Sequence, residues 1–415
     1  MHIGNIIRYY REKLGLTQEE LAFNICSPTY LSQIETGKSS ANKDIVILIG
    51  NKLKVDLIKE LETDKKLNKK ILEWYKSILN NDKDKIETLY SELKKEIRFD
   101  NIEVKIDYLL IELRYFLYHF KLQKASTSLK HLESIKIIFN QQQFYFFTQF
   151  YGIFLIRSRM AKEAIEYFEN SLSIGEKLNI YEPILYYQLS IAYSQTQKII
   201  KSINYALEAL KLYSKAHKYH SIIKCNMLLG INYSKLKEYD LSEKYFKDVL
   251  QAIPMSKGID EGHIKGKLYH NLGYINYLQQ NFSTSITYLE KSLSYRNNDL
   301  EKLRTFYIIA QSLYLTNQHQ KSHLLLSEAL LIANKHKEWE FYYKIKVFLC
   351  ENDKNCNRND LIFFLESDVI PYFEKYGDQS ELLQMIRKLG DLYFKESRYK
   401  QAAILYKKVN SLKEV

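Results

Sequence analysis

A short polar stretch near residue 30 carries side chains suited to hydrogen bonding rather than to covalent catalysis. Ser27 can cap a helix and Pro28 can occupy its first position, where a missing N–H costs nothing. Leu31 and Ile34 would bury one side of this helix, and Gly37 would end it. The side chains left facing outward are Thr29, Tyr30, Ser32 and Gln33. Side chains of these types form hydrogen bonds with base edges in the DNA major groove.

A preceding helix is needed to hold this one at the angle that DNA requires. Thr17 and Glu20 have the spacing of a capping box, which predicts a helix start. Leu21 and Ile25 then fall on one apolar face, and the chain turns at Ile25 and Cys26. Two short helices joined by a tight turn form the arrangement that enters the major groove, with Lys38 as a phosphate contact.

Three further helices are expected to complete an N-terminal head. The first covers Ile3–Leu14, the fourth Asn42–Lys52 and the fifth Leu53–Leu61, which gives a five-helix DNA-binding domain over residues 1–62. The charge-rich segment that follows predicts a linker over residues 63–70, and residues 71–415 then form a second domain.

Composition predicts an all-α protein and points away from enzymatic chemistry. The 415 residues include 35 Tyr but only 4 Pro and 13 Gly, so helix breakers are rare. The four cysteines show no metal-ligand spacing, and neither a phosphate-binding glycine loop nor a nucleophile elbow occurs. We therefore expect no enzyme activity, metal or cofactor. No signal peptide or membrane-length apolar run is present, which predicts a cytoplasmic protein with no membrane partner.

The net charge of +12 is unevenly distributed along the chain. Residues 1–62 contain eight Lys or Arg and eight Asp or Glu, so the whole excess follows the head. Basic charge there would attract an acidic protein or peptide, or would keep a large surface dispersed in solution. The DNA-binding prediction therefore depends on the motif rather than on net charge.

After residue 71 a pattern recurs in which two small residues stand 12 positions apart. Gly152 and Ala164 form one copy, and later copies begin at Ser190, Gly230, Gly273, Ala310 and Gly390. A unit of this length is a helix pair that cannot bury its own apolar face, so copies must stack. The pattern resembles the tetratricopeptide repeat, which implies a right-handed superhelix of about nine helix pairs with a concave inner surface.

The first helix of each pair would line that concave surface. An extended peptide lying there needs partners for its backbone N–H and C=O groups, and Asn and Gln side chains supply both. Basic side chains, Lys224 and Arg304 among them, could hold a carboxylate. The predicted peptide contacts are Arg157, Tyr187, Gln188, Asn232, Lys267, Asn271, Tyr274 and Gln311.

Two parts of the chain resemble one known family. The run NICSPTYLSQIETGK (24–38) resembles the helix-turn-helix of Xre/Cro repressors, in the form found in the peptide-regulated RRNPP family. Segments 228–239 (LLGINYSKLKEY) and 267–277 (KLYHNLGYINY) look like those in which Rap, PlcR and NprR proteins place peptide-binding asparagines, here Asn232 and Asn271. The resemblance covers essentially the whole chain, whose length is nearer to NprR than to PlcR.

The family resemblance implies both residue roles and a function. It places Gln18 near phosphate, and the DNA-binding set becomes Gln18, Ser27, Thr29, Tyr30, Ser32, Gln33 and Lys38. The family consists of cytoplasmic quorum-sensing receptors that bind short signalling peptides, and its DNA-binding members change oligomeric arrangement. We expect a homodimer, or a higher oligomer, that binds operator DNA and responds to a peptide.

Two other hypotheses remain open at this point. In the first, the repeat domain binds a response regulator of a phosphorelay, as Rap and NprR relatives do. In the second, the same architecture serves as a phage or plasmid repressor.

Overall fold

Four short helices open the chain and form the head. They are α1 (Ile3–Lys13), α2 (Gln18–Ala22), α3 (Pro28–Glu35) and α4 (Lys43–Leu53). The computed structural model describes residues 3–58, 65–96, 102–256, 258–353, 356–376 and 379–413. The expected capping box is present, because Thr17 Oγ1 accepts from the Glu20 N–H at 3.1 Å and Glu20 Oε2 accepts from the Thr17 N–H at 2.7 Å.

The head core is apolar and tightly closed. Its fully buried side chains include Ile6, Ile7, Leu21, Ala22, Leu31, Ile34 and Ile49. Helix α1 crosses α3 at Gly4, where a Cβ atom would lie only 1.9 Å from the carbonyl oxygen of Ile34. Only glycine fits at this crossing, since a methyl group there would overlap the backbone of α3.

The expected fifth helix and linker differ from the structure. Helix α4 ends at Leu53. The next residue, Lys54, has a left-handed φ of 58°, and residues 54–58 are not helical. Residues 59–64, the rest of the predicted fifth helix and the start of the predicted linker, lie outside the described residues. From Lys65 onward the predicted linker is already helix α5 (Lys65–Asn80).

Helix α5 begins at Lys65 because it has an apolar face, which is not apparent among the lysines of this segment in the sequence. Ile71 and Trp74 are 3% and 0% exposed, and Leu67 packs against the same core. Lys70, from the charged segment, pairs at 2.6 Å with Glu92 and at 2.8 Å with Glu96. The charge run is therefore the outer face of an amphipathic helix.

Antiparallel helix pairs account for the rest of the described chain, which divides into two compact units. Unit 1 holds the head and residues to Leu236, and unit 2 holds Lys237–Met255 and residues from Ile259 onward. After α5, unit 1 contains α6 (Lys83–Glu96), α7 (Ile102–Tyr118), α8 (Leu122–Ile135), α9 (Gln141–Arg157), α10 (Ala161–Leu178), α11 (Pro183–Gln195), α12 (Ile199–Lys215) and α13 (Tyr219–Lys235). A 3-10 turn, Lys136–Ile138, joins α8 to α9 and packs against α1.

Unit 2 continues the same arrangement. Its helices are α14 (Tyr239–Ala252), α15 (Glu261–Leu278), α16 (Phe282–Ser294), α17 (Asp299–Leu315), α18 (His319–Lys335), α19 (Trp339–Asn352), α20 (Arg358–Phe364), α21 (Ile370–Tyr376), α22 (Gln379–Lys395) and α23 (Tyr399–Lys413). A π-helical segment, Leu365–Val369, joins α20 to α21. The all-α class and the order of head before tetratricopeptide-like pairs are confirmed. None of these helices is long and apolar enough, over its described residues, to cross a membrane.

The small residues 12 positions apart meet where the two helices of a pair cross. A Cβ atom on Gly273 would lie 2.5 Å from Leu289 Cγ, so α15 and α16 touch at this point. Ser285 Oγ donates to the Gly273 carbonyl at 2.8 Å, and Ser322 Oγ donates to the Ala310 carbonyl at 2.7 Å. The second small residue therefore joins the helices by a hydrogen bond as well as leaving room for close contact.

We predict that Gly273→Ala destabilises unit 2. The added methyl group would meet Leu289, which is fully buried and has no space to move, so the cost is about 1–3 kcal/mol. Thermal unfolding should show a lower midpoint. Gly262→Ala in the same helix is the matched control, because its Cβ would lie at ordinary contact distances, 3.5 Å from Asp260 Oδ1 and 3.9 Å from Tyr295 Cδ1, and alanine favours helix. Equal midpoints for the two variants would contradict the close crossing.

Candidate DNA-binding surface and peptide-binding cavity

A buried carboxylate fixes the geometry of the helix-turn-helix. Glu35, at the end of α3, is 3% exposed. Arg11 of α1 donates to both of its oxygens, from Nε at 2.7 Å and from Nη2 at 3.0 Å. Gln18 Nε2 donates to Glu35 Oε2 at 2.7 Å, so this one carboxylate joins α1, α2 and α3. The hydrogen bonds that Arg11 donates to Glu35 raise the pKa of Arg11 above its ordinary value.

This network changes the role of Gln18. The side-chain amide predicted to lie near phosphate instead donates within the protein, to the Glu35 oxygen that also accepts from Arg11 Nη2. Gln18 is half-buried and positions α2 against α3. Its contact with DNA stays a prediction from the family resemblance.

The outward face of α3 matches the predicted DNA-reading surface in part. Thr29, Gln33 and Lys38 are exposed. Ser27 is a capping residue, because its Oγ accepts from the Tyr30 N–H at 3.2 Å. The Tyr30 hydroxyl donates to the Ser40 carbonyl at 3.0 Å, which holds its ring against the loop that follows α3.

Two details at this face were not apparent from sequence. Gln33 Oε1 accepts from Ser39 Oγ at 3.1 Å, which orients the amide so that its nitrogen stays available to a base. Ser32 is half-buried.

The chain reverses between α2 and α3 at Asn24, whose φ of 61° is a conformation that asparagine tolerates better than most residues.

A cavity of about 790 Å³ lies in unit 1. Its walls come from α5, α7, α9, α11 and α13, together with the end of α12, so it lies where the first helices of successive pairs stand side by side. The apolar wall residues are Ile78, Leu79, Ile153, Ile156, Ile184 and Ile191. Three residues that the sequence predicted as peptide contacts line it together: Arg157, Tyr187 and Gln188.

Basic side chains converge on this cavity. Arg114 is 8% exposed, and its Nη1 has no hydrogen-bond partner in the described part of the chain. Arg157 Nη1 is likewise buried without a partner, while the guanidinium lies 3.7 Å from the centre of the Phe120 ring. Burial and the nearby charge of Arg114 lower the pKa of Arg157 to about 10.

Lys224 adds a third cation from α13. Its side chain reaches solvent, but the protein surrounds it closely enough that desolvation, followed by the charges of Arg114 and Arg157, lowers its pKa to about 8. The three positive charges therefore repel one another in the cavity. Such a site favours an anion that would relieve this repulsion.

One carboxylate, Glu182, faces these cations but is already hydrogen-bonded. Its Oε2 accepts from Tyr75 at 2.9 Å, from Gln149 at 3.3 Å and from Tyr145 at 3.5 Å. Burial raises the pKa of Glu182, and these donors and Arg114 oppose the increase. The sequence analysis missed Arg114 and Glu182. The available signal for Arg114 was a basic residue within the largely apolar run of α7.

Asn232 does not lie in the cavity. It is fully buried, its Nδ2 donates to Ser202 Oγ at 2.7 Å, and its Oδ1 accepts from Ser194 Oγ at 2.7 Å. Both ends of the amide are therefore used to join α11, α12 and α13. A ligand would have to displace a complete buried network to reach Asn232, and its contact with a peptide stays a prediction.

The remaining predicted peptide contacts lie in unit 2. Lys267, Asn271 and Tyr274 have the spacing of a single stripe on α15, with Lys267 and Tyr274 exposed and Asn271 half-buried. Gln311 is half-buried on α17, which packs against α15. No group of three or more metal-binding side chains occurs among the residues that the structure describes.

We predict that Arg11→Met strongly destabilises the head. It would leave Glu35 as a buried charge without its cation, at a cost of about 3–5 kcal/mol. Arg8→Met is the matched control, because the Arg8 side chain is 40% exposed and its ion pair among the described residues is with Glu12 one turn away, at a cost below about 1 kcal/mol. Urea unfolding monitored by circular dichroism measures both. Similar stabilities would mean that the Glu35 network does not hold the head together.

Comparison with known proteins agrees with this architecture. A helix-turn-helix family model matches residues 7–59, and a tetratricopeptide repeat model matches residues 223–254 and 266–299. The chain is 25% identical over 400 residues to the transcriptional activator NprA of Geobacillus stearothermophilus, covering 93% of this chain and 97% of NprA. It is also 26% identical over 220 residues to response regulator aspartate phosphatase I of Bacillus subtilis, covering 50% of this chain and 55% of that protein.

Solved structures of one further protein share the fold. The apo form of the quorum sensor NprR from B. thuringiensis superposes with a TM-score of 0.74 at 19% identity, covering 85% of this chain and 99% of that one. NprR in complex with its cognate peptide NprX superposes with a TM-score of 0.67, also at 19% identity, and covers 85% of this chain and 100% of that one. The helix-turn-helix head, the tetratricopeptide-like pairs and the similarity to NprA over nearly the whole chain together support the assignment of this chain to the RRNPP family.

Proposed function

We propose that this protein is a peptide-responsive transcription regulator. The head binds operator DNA through the exposed face of α3, and the cavity of unit 1 binds a short signalling peptide. The observation that carries the proposal is that both features occur in one compact unit and are joined by a helix. NprA is named as a transcriptional activator and NprR as a quorum sensor with a cognate peptide, which supports both halves.

Helix α9 provides the connection between the two sites. At its beginning, the 3-10 turn Lys136–Ile138 packs against α1 of the head. At its end, Arg157 lines the cavity. A helix of 17 residues is about 25 Å long and moves as a rigid rod. A ligand that repositions Arg157 therefore acts on the head through α9.

The active form is proposed to be a homodimer. Two heads would bind half-sites about one helical turn of DNA apart, or about 34 Å. A peptide that binds the two arrangements with different affinity shifts the population between them and so changes affinity for the operator. Fluorescence anisotropy with labelled operator DNA, with and without a library of short synthetic peptides, tests this. Operator affinity that no peptide changes would reject the regulatory half of the proposal.

We predict that Gln33→Ala weakens operator binding by about 1–3 kcal/mol, because the exposed amide would no longer pair with a base edge. Binding to unrelated DNA of the same length is the control and should change little. An equal loss on both DNAs would mean that Gln33 contacts only the backbone.

We predict that Asn271→Ala abolishes the peptide response and leaves the thermal midpoint and basal DNA binding unchanged. Asn271 is half-buried on α15 of unit 2, and this prediction rests on the family resemblance of segment 267–277 and not on the unit 1 cavity. Asn232→Ala is the contrasting variant, and it should lower the midpoint because two buried serine hydroxyls lose their partner. Wild-type peptide affinity in Asn271→Ala would show that α15 does not take part.

A second candidate function is binding to an acidic response regulator. The similarity to response regulator aspartate phosphatase I and the basic excess after residue 62 favour it. A pull-down with phosphorelay proteins that persists after deletion of residues 1–62 would support this role beside the first.

A further inference from the structure

The lining of the unit 1 cavity carries far more positive than negative charge. Its basic members are Lys76, Arg114, Arg157, Lys218 and Lys224, and its acidic member is Glu182. Lys218 has a partner, because its Nζ lies 3.1 Å from Asn80 Oδ1. The two guanidinium groups each keep a buried N–H without an acceptor. An unsatisfied charged donor of this kind costs free energy until an acceptor arrives.

Glu182 does not fill that role. Its Oε2 already accepts from three neutral donors, and these are the two phenols and the amide that surround it. No other acidic side chain among the described residues lines the cavity, so the acceptor is assigned to a ligand. Bulk water is a weak substitute, because the walls beside the guanidinium groups are the apolar side chains of Ile153, Ile156 and Phe120.

We propose that this cavity recognises a carboxylate of its peptide ligand, held by Arg114, Arg157 and Lys224. The proposal rests on the peptide-binding function proposed above and names the chemistry of its ligand. The guanidinium N–H groups are charge-assisted donors to the carboxylate oxygens, and Lys224 supplies a point charge. The isoleucines take an apolar side chain next to the carboxylate. A C-terminal carboxylate and an Asp or Glu side chain share this chemistry.

The protonation of Lys224 makes recognition depend on pH. Titratable groups on several elements face Lys224. They are Arg114 of α7, Arg157 of α9, Glu182 just before α11, Tyr187 of α11, Tyr213 of α12, and His220 and Cys225 of α13. In the free protein the pKa of Lys224 is about 8. A bound carboxylate raises that pKa, so affinity is full below pH 8 and falls as pH increases above it.

Four pools of N-acetylated hexapeptides test the proposal. One position is Asp or Asn, the C-terminus is a free acid or an amide, and the other positions are uncharged residues. The pool with both carboxylates, and at least one of the two pools with a single carboxylate, should raise the thermal midpoint of the full-length protein, whereas the Asn amide pool should not. Comparison of the Asp amide pool with the Asn free-acid pool shows whether the side chain or the C-terminus is the source.

Arg157→Met and Lys224→Met separate recognition from folding. Each should weaken binding of the carboxylate pools by about tenfold or more, since one charge-assisted contact is lost. Arg157→Met should also raise the midpoint of the free protein, because it removes an unpaired buried charge. The matched control is Lys211→Met, which removes a lysine that is 77% exposed and lies outside the cavity. In Lys224→Met the loss of affinity between pH 7 and 9.5 should disappear.

Three results would overturn the proposal, and they differ in which other claims they reject. Equal binding of the Asn amide pool and the carboxylate pools would reject the recognition of a carboxylate and leave peptide binding intact. Failure of every pool to bind would reject the peptide-binding function as well. Retention of wild-type affinity by both Arg157→Met and Lys224→Met would show that the carboxylate binds elsewhere.

Discussion

The close approach of the two helices in each repeat is the constraint on which the rest of the structure depends. At Gly152 a Cβ atom would lie 2.5 Å from the Phe168 ring, and at Ser190 two serines exchange hydrogen bonds with each other's carbonyl oxygens across the crossing. Because a larger side chain does not fit there, each crossing has one register. In unit 1 that register determines which residues of the first helices line the cavity.

The cavity shows how a stable scaffold supports an unfavourable site. Two guanidinium groups with unpaired N–H groups cost free energy, which packing elsewhere in unit 1 must offset. The aromatic cluster around Trp74, which stacks on Tyr90 and Tyr108, lies in the same unit and supplies such packing. Lowered pKa values of neighbouring buried cations, as at Arg157 and Lys224, are typical of functional sites.

The contact between the head and the repeats gives the proposed regulation a physical path. The head core and the first repeats form one continuous set of buried side chains, and α1 packs directly against the turn before α9. Within the head, Glu35 holds three helices through two partners, so the DNA-reading face moves as a unit. A displacement at α1 therefore reorients α3 without unfolding it.

The sequence by itself determined the features that local spacing controls. Thr17 with Glu20, Ser27 with Pro28, and the pairs of small residues 12 apart each predicted the local structure found, because caps and helix crossings depend on neighbours along the chain. Tertiary structure decided which polar residues are accessible. Asn232 is hydrogen-bonded to two buried serines, and Gln18 is hydrogen-bonded to Glu35. Arg114, by contrast, lies within a largely apolar run of the sequence but lines the cavity. These partners come from residues 17 to 38 positions away, and no local pattern encodes their meeting.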